Sequence, residues 1–362
     1  MVLRFKRVAV TAGAVLIAAA VLVWSDAARD GVKSGIELCL GSILPSLFLF
    51  ACVAMFVQLS GASVVLGKVV SPVFRVLFGL SGELATAFLL SCVSGYPVGA
   101  RLLDMCYQNG RVHRAKAIKV LMFSINVGPA FAVVAVGAGV LGSTSDGWRL
   151  EAAHLLASVI LAAIVRFLPD RIFCKTVQLH TSTHTNPTPQ NQPSNSLTDA
   201  FVMSVNAAAK TMLSICGFAV FFAGVGGMIA QLPHGRVVQR FLEVTVGLEG
   251  LSRAQLPTVA FLLGFGGVSV IFQVMSAAKS IRPPLGLVVG SRLIHGGLSA
   301  GIIVMLEAVF PRSVSTGSFN VAVKPAVHTS PIAAMALVML CIVLICFTQR
   351  AGKMSKAARS KI

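Results

Sequence analysis

The sequence predicts an all-α polytopic membrane protein with about 7–8 transmembrane spans. Three observations carry that expectation. Of 362 residues, 56% are hydrophobic and 12% charged, and the mean hydropathy is +0.85. A soluble domain carries about 25% charged residues, so this chain lacks the polar surface to cover a water-soluble particle. The apolar stretches are also long and separated by basic loops, which suits helices rather than the short alternating strands of a membrane barrel. Finally, the net charge of +18 gathers in those loops, as Lys and Arg do on the cytoplasmic side of a membrane protein. No aromatic residues interleave with them in the manner of a nucleic-acid module, so no nucleic-acid partner is expected.

The elements follow in order. Arg4, Lys6 and Arg7 precede an apolar run from Val8 to Trp24. It is longer than a signal-peptide core and is read as an uncleaved first span with a cytoplasmic N-terminus. A second span covers about Ile36 to Leu59, with Pro45 inside it. Residues 64–80 mix apolar positions with Lys68, Pro72 and Arg75, the pattern of an amphipathic interfacial segment. Residues 84–100 end in Ser94-Gly95-Tyr96-Pro97-Val98-Gly99. Pro97 lacks a donor and crowds the preceding turn, so a broken or re-entrant helix is expected. Such backbone is tolerated at membrane depth where protein or a water-filled cavity surrounds it.

A basic loop is expected from Arg101 to Lys119. A span over about 117–141 follows, interrupted at Ser124-Ile125-Asn126-Val127-Gly128-Pro129, and another runs from Glu151 to Leu168 with His154 inside it. Residues 176–199 turn to Thr, Ser, Asn, Gln and Pro, the composition of a disordered linker. The second part opens with a long segment, 201–230, bearing Asn206 and Lys210. An amphipathic stretch over 236–253 holds Glu243 and Glu249. The apolar segment 256–275 is broken at Gly264-Phe265-Gly266-Gly267, and a basic loop holds Lys279 and Arg282. Residues 285–309 form a span with Arg292 and His295, and a last span covers about 331–348 before a basic tail.

The same order thus occurs twice: long helix, amphipathic segment, broken segment, basic loop, long helix with polar residues. Two repeated halves are expected, inverted with respect to each other, with Gly95 paired to Gly267 and Asn126 to a position near His295. Interrupted segments in matching positions point to a transporter's substrate site. Seven spans would leave the basic termini on opposite sides of the membrane, a conflict within the sequence reading itself.

At these breaks the chain resembles the sporulation integral membrane protein YlbJ family, within the wider group of nucleoside-recognition, or gate, membrane domains. The resemblance covers roughly residues 36–310. Residues 94–101 match an S-G-Y-P-x-G-A-K/R signature, and Asn126-Val127-Gly128-Pro129 resembles an N-x-x-P stretch. Ala152-Ala153-His154 resembles A-A-H, and Glu243-Val244-Thr245-Val246-Gly247 resembles E-x-T-x-G. Residues 266–274 resemble G-L-S-x-x-x-Q-V, and residues 292–296 resemble R-L-L-H-G. The chain departs from the family at Leu49, where a second proline is usual, and in its long polar linker. The chain as a whole is read as an N-terminal span (1–30), a first gate-like half (31–175), the linker (176–199), a second gate-like half (200–310), and a C-terminal span with a basic tail (311–362). The resemblance implies a small-molecule transporter in the cell membrane. In spore formers it implies passage of dipicolinic acid across the membrane surrounding the forespore.

The residues support an anionic substrate on their own. The cations expected at bilayer depth are Arg101, Lys210 and Arg292, while the acids Glu83, Asp104, Glu243 and Glu307 lie near segment ends. Charge at that depth has a functional or pairing reason. Arg recognises carboxylates in bidentate fashion, and broken helices aim positive N-termini at anions. The expected substrate-binding set is Ser94, Gly95, Tyr96, Pro97, Gly99 and Arg101; Asn126, Gly128 and Pro129; His154; Gly266, Gly267, Ser269 and Gln273; and Arg292 with His295. Lys210, Glu243 and Gly247 are expected to be structural or gating residues.

Each assignment has a plainer alternative. Arg101 would be a loop charge, Lys210 a snorkelling side chain, and Arg292 a structural partner of Glu243 or Glu249. The histidines would be packing residues, and Asn126 and Gln273 would bond backbone freed at the breaks.

Three functions compete. The first is a secondary transporter of a small organic anion, with a cavity between the two broken segments. The second is a non-transporting structural membrane protein required for spore development. The third, an intramembrane enzyme, lacks support: there is no G-x-S-x-G, H-E-x-x-H, P-loop or G-x-G-x-x-G in a βαβ context. Eight cysteines without a C-x-x-C pair predict neither metal nor disulfide framework, and no cofactor is expected. The expected partners are the organic anion and the lipid bilayer. A coupling ion and a homo-oligomer stay open.

Overall fold

The computed structural model describes residues 2–174 and 196–311. The described residues are helical and contain no strand. Five segments are long and apolar enough to cross a membrane unaided: Ser25–Leu59, Thr144–Phe167, Leu197–Ile229, Arg253–Ala277 and Leu285–Val309. The chain is therefore a multi-pass integral membrane protein. The last expected span, 331–348, lies outside the described residues, as does most of the expected linker. Leu197–Asp199, assigned to that linker, are instead the first turn of a long helix.

Helix α1 (Val2–Val23) holds a shorter apolar stretch, Val8–Val23. Helices α2 (Ser25–Leu38) and α3 (Leu44–Leu59) form one long rod through a π-helical turn at Cys39–Ile43. Pro45 sits just beyond that turn. Its missing N–H and its ring exclude regular α-helical bonding there, and the wider turn absorbs the defect. Helix α4 (Ala62–Phe78) is amphipathic, as expected, and meets α5 (Gly82–Ser94) at 90°. The chain then turns at Gly95, whose φ of +89° suits glycine, into α6 (Tyr96–Gln108). A Cβ on Gly99 would stand 2.4 Å from Ser91 Cβ, so α6 doubles back along α5 as a re-entrant hairpin.

The basic loop expected from Arg101 to Lys119 is largely helical. Only residues 109–113 are a turn before α7 (Arg114–Leu121). The expected span over 117–141 is discontinuous: α7, irregular chain through Asn126, then a π-helical segment, Ala130–Val140. Helix α8 (Thr144–Phe167) and the short α9 (Arg171–Cys174) complete the first half.

The second half comprises α10 (Leu197–Ile229), α11 (Gly235–Leu242), α12 (Val244–Gly247), α13 (Leu256–Phe265), α14 (Gly267–Ala277) and α15 (Leu285–Val309). The amphipathic stretch expected at 236–253 is two short helices folded about Glu243. A Cβ on Gly247 would lie 2.7 Å from Arg240 Cα.

Bonds between segment ends sort the connections onto two faces. On one, Gln108 Nε2 donates to Ser280 Oγ at 2.7 Å and Arg114 Nε to Ile281 O at 2.6 Å. There Lys116 also reaches Gly79 O at 3.1 Å and Lys119 reaches Leu168 O at 2.6 Å. This face is crowded with Lys and Arg. On the other, Arg253 Nε meets Asp146 Oδ2 at 2.6 Å. The α5–α6 hairpin enters from the basic face and the α11–α12 hairpin from the opposite one, so the halves are inverted.

This geometry corrects the expected pairing of the repeats. The hairpin tip Gly95 corresponds to the tip at Glu243. The Asn126 break corresponds to Gly266–Gly267, where both φ values are positive. His154 corresponds to His295. The segments Glu151-Ala-Ala-His154-Leu-Leu-Ala-Ser158 and Arg292-Leu-Ile-His295-Gly-Gly-Leu-Ser299 align without a gap.

Candidate anion cleft

The four breaks meet at the centre of the molecule. Arg292 on α15 is fully buried. Its Nη1 donates to Ile125 O at 2.7 Å and its Nη2 to Gly264 O. These are carbonyls freed where α7 and α13 end, and a forked guanidinium suits two acceptors at once. Arg292 thus bonds backbone, not Glu243 or Glu249. Glu243 uses its carboxylate to accept from Thr245 N at 2.7 Å and Val246 N at 2.9 Å, capping α12. Tyr96 Oη donates to Leu263 O at 2.6 Å, joining the first hairpin to the second half.

Asn126 holds its own break together. Its Nδ2 donates to Ser91 Oγ at 3.2 Å, and its Oδ1 accepts from Ser158 Oγ. His154 Nε2 accepts from Val127 N at 3.0 Å, and His295 Nε2 bonds His154 O at 3.0 Å. The two rings pack against each other, tilted by 32°, with centroids 4.2 Å apart. Ser269 Oγ accepts from Gln273 Nε2 at 3.1 Å. A Cβ at Gly128 would lie 2.7 Å from Val93 O, so backbone passes backbone there.

Two spaces adjoin this centre. A cleft of about 510 Å³ lies between α6, α10 and α14, within the usual size of a small-molecule site. Its walls carry Arg101, Lys210 and Lys279, the amides Asn206 and Gln273, and the hydroxyls of Thr211, Ser214 and Ser276. Among the described residues no carboxylate lines it. Asp104 Oδ2 lies 3.6 Å from Arg101 Nη1. Asp104 Oδ1 meanwhile accepts from Ser280 N and Ile281 N, both at 2.9 Å, which fixes α6 to the turn after α14. Asp104→Asn keeps a carbonyl acceptor but weakens both bonds by removing their charge. It should cost about 1–2 kcal/mol, read as a lower melting temperature in detergent. An unchanged melting temperature would show that this tie does not hold α6.

The second space, about 30 Å³, lies directly between the tips and is lined by Gly95, Tyr96, Gly128, Glu243 and Thr245. A volume of roughly 30 Å³ is one water's share of liquid, so no substrate fits there. Pro97, Ile215 and Gln273 line both spaces and form the wall between them. The cavity expected between the broken segments therefore stands beside the first hairpin instead, and the tips themselves are closed.

Of the residues singled out in the sequence, Pro97, Arg101, Gln273 and Lys210 line the cleft. Gly95, Tyr96, Gly128 and Glu243 line the inner space. Ser94, Gly99, Asn126, Pro129, His154, Gly247, Gly266, Gly267, Ser269, Arg292 and His295 line neither and form the packed centre behind them. Sequence reading passed over Lys279, Thr211, Ser214 and Ser276 as contributors. A signal existed: Asn206, Lys210 and Ser214 recur every four residues along an otherwise apolar helix, which puts them on one face.

Comparison with known proteins bears on the same chain. It is 21% identical over 326 residues to the sporulation integral membrane protein YlbJ of Bacillus subtilis (strain 168), covering 80% of each chain. The chain is a distant relative of that protein. No family model matches it, and no solved structure does. Its multi-pass membrane location is thus supported by the relative as well as by the apolar helices.

Proposed function

We infer that this protein carries a small organic anion across the membrane, with the anion held in the cleft by Arg101, Lys210 and Lys279. The observation that carries the reading is a cleft walled by three cations and by no carboxylate. Cationic side chains with amide and hydroxyl donors form charge-assisted bonds to carboxylate oxygens. The inverted halves, with breaks meeting at the centre, are the architecture in which one half rocks against the other around a fixed site. Arg101 and Lys279 set the cleft beside the basic face, which the positive-inside rule assigns to the cytoplasm. Pro97, Ile215 and Gln273 separate it from the closed tips. The relative's role in sporulation and the family resemblance point to dipicolinic acid, a ring bearing two carboxylates, in the membrane around the forespore. Gly95, Tyr96, Gly128 and Glu243 are assigned to the passage that must widen, and the buried residues behind them to its frame.

The test is uptake of labelled dipicolinate by vesicles carrying the inserted protein. Arg101→Gln and Lys210→Gln should each raise the half-saturating concentration by roughly ten- to a hundred-fold, as expected when one charge-assisted bond of about 1.5–3 kcal/mol is lost. Insertion and melting of the Lys210 variant should match wild type, because its side chain is exposed. Wild-type uptake that both substitutions leave unchanged would remove the cleft as the site. No uptake of any small carboxylate by well-inserted wild type would favour the structural role in spore development instead.

A further inference from the structure

Helices α8 and α15 run antiparallel through the middle of the molecule, and their facing sides carry a column of ionisable groups. Glu151 and His154 lie one turn apart on α8, and Arg292 and His295 one turn apart on α15. The paired imidazoles sit between them. Because the helices run in opposite directions, Glu151 stands on the side of the pair facing Asp146 and Arg253. Arg292 stands on the side facing the basic surface. Glu151 is 2% exposed, and His154, Arg292 and His295 are 1% exposed or less.

Several of these groups have no hydrogen-bond partner: both Glu151 oxygens, the Nδ1 atoms of His154 and His295, and Nε of Arg292. The bonds that do exist set the tautomers. His154 Nε2 accepts from Val127 N–H, so its hydrogen is on Nδ1. His295 Nε2 donates to the carbonyl of His154, so its Nδ1 presents a bare lone pair. An N–H donor, a lone pair and a carboxyl, all without hydrogen-bond partners, are thus buried along the same pair of helices. A lone ionised carboxyl in such surroundings is costly, and one that holds a proton is far less so. Intramembrane chains of acid and imidazole serve as proton relays.

We propose that Glu151 is a proton-carrying residue, with the His154–His295 pair as its relay, and that it couples anion movement to a proton gradient. This rests on the transport reading above. Glu151 takes a proton while exposed to one side of the membrane and releases it to the other when the halves rock. Other charges could act on it. On α15 they are Arg292, His295 and Glu307, and on α4 Lys68 and Arg75. On its own helix they are Asp146, Arg149, His154 and Arg166. Helix α13 and the π-helical segment carry none. Cys92 and Tyr96 lie within electrostatic reach.

The test uses proteoliposomes and labelled dipicolinate. Wild type should exchange external for internal anion without a gradient and should accumulate it when a pH gradient is imposed. Glu151→Gln, which keeps the shape but holds no titrating proton, should retain exchange and lose gradient-driven accumulation. Glu151→Asp should keep accumulation with a displaced pH dependence, which separates coupling from a packing role. Exchange by wild type that ignores the pH gradient, or accumulation by Glu151→Gln equal to wild type, would overturn the coupling and leave transport standing. Absence of exchange in well-inserted wild type would overturn both.

Discussion

Arg292→Met should destabilise the protein by about 2–4 kcal/mol, more than any substitution on the cleft wall. The guanidinium holds Ile125 O and Gly264 O, carbonyls that lost their helical partners at two separate breaks. Removing it leaves both unpaired in a buried interior, at about 1–3 kcal/mol each. Relief from burying a charge offsets part of that sum. Arg292→Lys should fall between, because one ammonium lacks the fork that spans two acceptors. Thermal unfolding of purified protein in detergent measures the effect, with Lys210→Met as the comparison expected to stay within about 0.5 kcal/mol of wild type. If Arg292→Met melted like wild type while anion affinity collapsed, Arg292 would be a substrate ligand, the role the sequence suggested. The structure seals it away from the cleft.

Gly99→Val should abolish the hairpin that forms one wall of the cleft. Even a single Cβ at Gly99 would lie 2.4 Å from Ser91 Cβ and 2.6 Å from Ser124 O. The second of these is backbone and cannot turn aside. Overpacking of this kind costs about 1–3 kcal/mol, so Gly99→Ala should already lower stability. Valine adds two further methyl groups where no space exists. The hairpin would splay, carrying Pro97 and Arg101 off the cleft wall. Anion uptake should therefore fall with stability rather than after it. Gly297→Ala is the matched control, since nothing lies within 4 Å of its added Cβ. A Gly99→Val protein that folds and transports normally would show that α5 and α6 do not close on each other.

Glycine and proline make three of the four breaks legible in the sequence. Ser94-Gly95-Tyr96-Pro97, Asn126-Val127-Gly128-Pro129 and Gly264-Phe265-Gly266-Gly267 each hold residues that a continuous helix rejects, and each breaks in the structure. The break at Glu243 carries no such mark. Its turn depends on a carboxylate capping four residues of helix, and a stretch that short has no periodicity to read. Without that hairpin Gly267 is the nearest partner for Gly95, which is the pairing that the sequence suggests. Once the α11–α12 hairpin is seen, Asn126 falls opposite Gly267 and His154 opposite His295.

Composition alone determined the solvent. With 12% charged residues and a mean hydropathy of +0.85, the chain could only place its apolar surface in lipid, and segments of that length had to be helical to satisfy their own backbone. The same reading placed cations at depth and so pointed to an anion. Which cations face the anion was left to the tertiary structure. Arg101, Lys210 and Lys279 come from α6, α10 and the turn after α14, and only packing brings them around one cleft. Arg292 looks like the best ligand in the sequence because it lies well inside an apolar span, one turn from His295. It is withdrawn from the cleft because two carbonyls freed elsewhere in the chain claim its hydrogens. A sequence records how deep a charge lies along its own helix. The partners that satisfy it come from other helices, and the fold alone brings them within reach.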